Sequence, residues 1–531
     1  MAIESNEQIA RAFVQLTKRA ETVDPNSLVQ TFVDIGTLLP SISTNDNQVV
    51  FGRRGTGKTH ALVYTLETAR GKGSSSVYVD LRAAGSSGGI YSNPRLSIQE
   101  RATRLLVDVL EFIHTALTAE AINNTSTDLS VIGPQLDALA ESATQVRVIG
   151  DFSVEDQIGA TSSHEAAQGV DASISKTPSI NFTNNKKDSE GQSSSRKISA
   201  SGTLTSHVHF GSLSRALHNV LQALPGKRLV LALDEWVAIP FDLQPYLADL
   251  LRRAFFPVQG IVTKIAAIEQ RSVFQIKGEH RDYIGIELGG DVSTAINLDD
   301  FMVFENDESM ATKFLRELIF KHYRAEVPTT EFASADALVR AAFTQVNAFE
   351  ELVIAAEGVP RDAINILSIA AQKALDQKIS VPHIRAAARN WYLRGKEVTV
   401  HSDPNAERLL HWIIDQVIGA RKSRAFLLRS GTRHELVDTL FDERVLHVIK
   451  RGISARDQPG VRYDAYKIDY GAYVDLISTN NEPGGLFALD EAPSRYVDVP
   501  PDDYRAIRRA ILDISEFEAT IPSNARSEEE T

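Results

Sequence analysis

The chain has 531 residues, 43% hydrophobic and 24% charged, an ordinary balance for a soluble protein of two to four domains. It contains no cysteine, which excludes disulfides and thiolate zinc sites, and its formal net charge of −13 argues against a surface that coats nucleic acid throughout. No stretch reaches the roughly 20 apolar residues that a membrane-spanning helix needs, and MAIESNEQIARAF has no apolar signal core. A cytoplasmic location without membrane contact is expected.

Residues 1–40 read as an amphipathic helical segment, with a cap at Asp24-Pro25-Asn26-Ser27. The apolar run at 48–51 predicts a strand, and a helix is expected from Lys58 to about Arg70. Between them lies FGRRGTGKTH, in which Gly52, Gly57, Lys58 and Thr59 complete G-x-x-x-x-G-K-[ST]. Glycines let backbone N–H groups converge on phosphate oxygens, and the helix start adds its positive dipole end. The candidate cradle is Gly52, Arg53, Arg54, Gly55, Thr56, Gly57, Lys58, Thr59 and His60. Lys58 would reach the β- and γ-phosphates, and the Thr59 hydroxyl would coordinate Mg²⁺.

A second strand follows at 76–81 and a long helix at 97–121. From about 123 to 206 the chain turns rich in Ser, Thr, Asn and Gly, and reads as a polar insertion of weak β character with a mobile central stretch. It is either a partner-binding element or a tolerated long loop. Leu229 to Leu233 is a short continuous apolar run, as a strand buried on both faces requires. It ends in Asp234-Glu235. A nucleotide cradle needs a carboxylate to hold Mg²⁺ and a base beside the γ-phosphate; Asp234 suits the first role and Glu235 the second. A helix at 241–255, a strand at 261–268 and the runs YIGIELGG and INLDDFMVF complete an α/β domain over 41–305.

Residues 306–400 read as all-helical, and include AEGVPRDAINILSIAA. Over 401–480 helices precede a hairpin, VLHVIKRGISAR and VRYDAYKIDYG about the turn DQPG, which suggests a winged helix. Its bases cluster: Arg421, Lys422, Arg424, Arg429 and Arg433, then Lys450, Arg451, Arg456 and Arg462 along the wing. Such groups supply phosphate contacts to double-stranded DNA, whereas Asp438, Asp442 and Glu443 on the expected recognition helix would repel them. Residues 481–531 are Pro-rich, with one helix expected at 502–516 and an acidic end.

Gly358-Val359-Pro360-Arg361 at a helix start, downstream of the phosphate cradle and the Asp-Glu pair, resembles the sensor-2 segment of AAA+ ATPases. With a helical lid and a C-terminal winged helix, the arrangement resembles the Orc1/Cdc6 branch, whose relatives include the STAND ATPases. The resemblance covers about 25–475, apart from the insertion. It implies an α/β fold: a P-loop core on a parallel sheet, a helical lid and a C-terminal winged-helix domain, with ATP and Mg²⁺ as cofactors. It implies that Arg361 contacts the γ-phosphate, that Glu269 or Gln270 stands at sensor 1, and that Arg281 is a trans-acting finger, with Arg252, Arg253 and Arg271 as rivals. The expected activity is slow ATP hydrolysis in a switch that couples nucleotide state to DNA. The alternative is a signalling or defence ATPase in which ATP drives homo-oligomerisation with a protein partner, through the insertion or the winged helix.

Overall fold

The structure is a computed structural model describing residues 5–156, 171–172, 182–187, 193–299, 308–477 and 511–520, less gaps at 18, 21–22, 35, 86–95, 125–126, 144–145, 207, 279–281, 294, 422, 433 and 455–459. Arg281 and the basic residues Lys422, Arg433 and Arg456 lie outside the described residues, as do 502–510 of the expected tail helix.

The fold is α/β, centred on a parallel sheet. Strands β1 (Gln48–Phe51), β2 (Ser75–Asp80), β7 (Leu229–Asp234), β8 (Ile261–Ala267) and β11 (Ile296–Asn297) form it in the order β11-β1-β8-β7-β2. Every pairing is parallel, so all the carboxyl ends, and the loops that leave them, share one side. Every residue of β1, β7 and β8 is buried, because helices cover both faces. On one face Leu62 and Leu66 of the helix Lys58–Gly71 pack on Val230, Ala232 and Ala266. On the other, the helices Ile98–Asn123, Phe210–Ala223 and Gln244–Phe255 bury Leu106, Leu217 and Leu251 against Val77, Leu231 and Ile265.

The supposed polar insertion begins later than expected. Leu129–Ala143 is a helix whose Ile132, Leu136, Leu139 and Ala143 join the core of the sheet domain. Gly133-Pro134 inside it reads locally as a break, and the spacing of the four apolar residues shows a buried stripe only once the helix is seen. The described residues of the remainder form a four-stranded antiparallel sheet, order β4-β3-β6-β5, of β3 (Val146–Asp156), β4 (Asp171–Ala172), β5 (Phe182–Lys187) and β6 (Ser193–Ser206); the central stretch expected to be mobile lies largely outside the described residues. The YIGIELGG run falls in a side hairpin, β9 (Gln275–Lys277) with β10 (Tyr283–Gly285), not in the main sheet.

Five helices follow: Glu308–Glu326, Ala335–Ala342, Val346–Ala355, Pro360–Ala374 and Val381–Trp391. The N-terminal helix Asn6–Gln15, started by a Ser5–Gln8 capping box, buries Ile9, Ala12 and Phe13 in the same core. Asp24 caps the next helix, Pro25–Thr31, through the N–H groups of Asn26 and Ser27. A π-helical turn, Tyr392–Glu397, leads to the C-terminal module.

That module comprises the helix Pro404–Ile414, β12 (Ala425–Arg429), the helix Glu435–Asp442, β13 (Leu446–Ser454) and β14 (Arg462–Ile468), with sheet order β12-β14-β13. A single described helix stands between β12 and β13. The tail returns to it: Leu512 N–H donates to the Leu427 carbonyl, and Phe517 of Ile514–Glu518 packs beside Trp412. Among the described residues, no helix is long and apolar enough to cross a membrane.

Candidate functional site

The loop between β1 and the helix Lys58–Gly71 wraps around its own backbone. Gly55 (φ +86°) and Gly57 (φ +92°) occupy left-handed conformations, and the Thr56 hydroxyl donates to the Arg53 carbonyl at 2.8 Å. Lys58 Nζ donates to the Gly52 and Arg53 carbonyls at 3.0 and 3.1 Å, and burial lowers its pKa against the pull of Asp234 and Glu235. Arg54 is exposed and ion-paired to Glu443 at 3.4 Å, while Arg53 is 2% exposed and turned inward.

Asp234 ends β7, separated from β1 by β8, yet Thr59 Oγ1 donates to Asp234 Oδ2 at 2.6 Å. Tyr78 OH donates to the same oxygen at 2.9 Å, and the Glu235 N–H donates to Asp234 Oδ1 at 2.8 Å. The hydroxyl and carboxylate so placed are hard oxygen donors that fit a divalent cation. Glu235 sits at φ +58°, a left-handed residue closing the strand, and its pKa is raised by burial and then by Asp234.

The lid meets the cradle directly. Glu357 (φ +50°) and Gly358 (φ +71°) turn the chain into the helix Pro360–Ala374, where Pro360 occupies the first turn. Arg361 N–H donates to the Gly55 carbonyl at 3.2 Å, and a Cβ on Gly55 would stand 2.8 Å from Arg361 Cβ. A cavity of about 540 Å³ is lined by Lys58, Thr59, Glu235 and Arg361 together. That volume is within the usual range for a small-molecule site.

Six further residues that line this cavity are not legible in the sequence. Thr17, Ser27 and Leu28 of the N-terminal segment line it, with His322 and Ile364 of the lid and Arg82 after β2. His60 closes on that segment, its Nε2 2.5 Å from the Leu28 carbonyl. Burial lowers the pKa of His60, and that of His322 to about 4, so both imidazoles are neutral at pH 7. Arg82 lies two residues beyond the end of β2 and is ion-paired to Asp80, a placement readable only after strand register is known.

Other sequence candidates lie elsewhere. Glu269 accepts from Asn297 Nδ2 and pairs with Arg451, and neither it nor Gln270 lines the cavity. Arg252 and Arg253 both pair with Asp249, and Arg271 pairs with Asp442 of the C-terminal module. Two of the three acids expected to oppose DNA therefore serve as internal docking groups: Asp442 on Arg271 and Glu443 on Arg54.

The loop at 52–59, the Asp234-Glu235 pair that closes a buried parallel strand and Arg361 of the lid meet beside one cavity, the arrangement that a P-loop nucleotide-binding fold requires. Residues 16–271 match the ORC-CDC6-like family model, in keeping with the resemblance read from the motifs. No curated protein matches it. Among solved structures, that of the Aeropyrum pernix Orc1 protein in complex with DNA is similar at 12% identity, covering 84% of this chain and 93% of that one with a TM-score of 0.29.

Proposed function

We propose that this protein is an ATP-binding and slowly ATP-hydrolysing switch of the ORC-CDC6-like AAA+ type, which couples nucleotide state to its C-terminal module. The observation that carries the reading is the bond from the lid residue Arg361 to Gly55 of the cradle, beside a cavity that Lys58, Thr59 and Glu235 share. In this reading the loop N–H groups and Lys58 bind the β- and γ-phosphates. Thr59 and Asp234 hold Mg²⁺, which when bound offsets phosphate charge. Glu235, its proton affinity raised by burial, accepts the proton of the attacking water. Arg361 converts the presence of the γ-phosphate into a lid position.

Binding of a fluorescent ATP analogue tests the site. Lys58→Ala is expected to lose affinity by at least about tenfold, the equivalent of one charge-assisted phosphate contact. Glu235→Gln is expected to keep binding while turnover falls by about 10²–10⁴-fold, the usual contribution of a general base. Unchanged hydrolysis in that variant rejects the role given to Glu235.

For the output we assign double-stranded DNA, on the exposed Arg429 and Arg462 of the C-terminal sheet. Fluorescence anisotropy with duplex DNA, with and without ATP, is expected to show nucleotide-dependent binding; weak, nucleotide-independent binding rejects it. One observation favours a protein partner instead: the helix Glu435–Asp442 carries Asp442 to the ATPase core, as a protein-docking element would. ATP-dependent oligomerisation without DNA, lost in Lys58→Ala, is the result that selects this second reading.

A further inference from the structure

Arg53, the second residue of the cradle, is held from three directions. Its Nε donates to Asp299 Oδ1 at 2.8 Å and its Nη2 to the Glu357 carbonyl at 3.2 Å, while its Nη1 meets Nδ1 of His447 on β13. A guanidinium can only donate, so Nδ1 of His447 accepts and the ring proton sits on Nε2. Nε2 lies 3.0 Å from Asp469 Oδ2 and donates to it. Asp469 in turn pairs with Lys396, whose Nζ lies 2.8 Å from Asp362 Oδ2. Asp362 follows Arg361, and its other oxygen accepts from Trp391 Nε1 at 3.1 Å, with Arg444 Nε at 3.3 Å.

Arg53, His447, Asp469, Lys396 and Asp362 are all 3% exposed or less. Burial lowers the His447 pKa to about 4, which keeps the ring neutral and its tautomer set by its neighbours. One continuous polar path thus leaves the cradle, passes through the C-terminal module and returns to the lid beside Arg361. Buried charge pairs of this kind cost desolvation and tolerate little displacement, so they transmit position rather than add stability.

We propose that His447 and Asp469 are positioning residues for the ATP site, which set the cradle relative to Arg361 and so make the C-terminal module a third partner in sensing the γ-phosphate. The proposal rests on the ATP reading above. His447 and Asp469 touch no nucleotide; they act through Arg53 and Asp362. Moving the C-terminal module toward a partner draws on these bonds, and nucleotide exchange and partner binding become linked in both directions.

The test compares ATP and ADP affinities of the full chain for wild type, His447→Leu and Asp469→Asn. Either variant is expected to lower the ATP-over-ADP preference, by about 5- to 150-fold as coupling energies usually allow, while His447→Gln, which can both accept and donate, recovers part of it. Glu351→Gln is the control: Glu351 of the lid accepts from Tyr470 across the same boundary, and from Arg385 within the lid, without joining the path. It is expected to shift the melting temperature and leave the preference intact.

Folded His447→Leu with wild-type preference, or an equal loss in Glu351→Gln, overturns the proposal. Should the variants not fold, amide exchange of Leu446–Val448 in the wild type decides: protection that differs between ATP analogue and ADP supports it, and identical protection overturns it. A wild-type chain that binds neither nucleotide overturns the ATP reading itself.

Discussion

Gly55→Ala probes the contact between lid and cradle. Gly55 sits at φ +86°, where a side chain costs about 1–2 kcal/mol. The new Cβ would stand 2.8 Å from Arg361 Cβ, closer than real Cβ atoms approach, and 3.1 Å from Val359 Cγ1, a tight contact. Neither obstacle is the far end of a flexible chain, so the lid helix must retreat. The bond from Arg361 N–H to the Gly55 carbonyl is already 3.2 Å long and does not survive that retreat. Its loss adds about 1 kcal/mol. The two effects together cost about 2–3 kcal/mol, which as lost closure weakens ATP binding by about 30- to 150-fold. Titration with a fluorescent ATP analogue, alongside ADP as a comparison that lacks the γ-phosphate, measures it. ATP affinity within about twofold of wild type, on a folded variant, would refute the reasoning, because the lid would then not depend on Gly55.

Two more predictions follow from the ion pairs and hydrogen bonds around the site. Asp442 is buried against Arg271, yet neither of its oxygens accepts a well-directed hydrogen bond, and burial pushes its pKa up to about 6 from 3.8. A carboxyl with a raised pKa holds its proton more tightly when folded, so its stabilising contribution is full below about pH 4 and is lost as pH rises through 6. Urea unfolding of Asp442→Asn against wild type should therefore move by about 2 kcal/mol in the variant's favour between pH 4 and 7; a pH-independent difference contradicts this. Tyr78→Phe removes the phenol that donates to Asp234 Oδ2. With about 1 kcal/mol of orientation lost, the Mg²⁺ concentration for half-maximal ATP binding should rise by about fivefold. An unchanged Mg²⁺ titration shows that Thr59 and the Glu235 N–H orient the carboxylate without the phenol.

Much of the site was legible because its chemistry is local. Gly55, Gly57, Lys58 and Thr59 occupy one turn, and their function follows from backbone conformations that neighbouring residues dictate. Asp234-Glu235 was equally readable, because a run buried on both faces must end where the sheet ends. The Asp24 cap and Pro360 helix start were set by side-chain and ring geometry within three residues. By contrast, Leu129–Ala143 hid behind Gly133-Pro134, where tertiary burial of four apolar side chains outweighs a local preference to break.

The C-terminal module shows the other limit. Its strands and bases could be read from alternation and composition, but its orientation could not. Asp442 and Glu443 looked like groups that repel a phosphate backbone; in the folded chain they dock on Arg271 and Arg54. Arg53 looked like one more cationic residue of a phosphate loop, and is instead the buried link to His447, 394 positions away. Sequence alone determined the cradle, the carboxylate pair and the helical lid, because propensity, period and turn chemistry act over a few residues. Only tertiary structure decided which charges face the cavity and which face one another, because that depends on the desolvation of groups brought together by packing from distant parts of the chain.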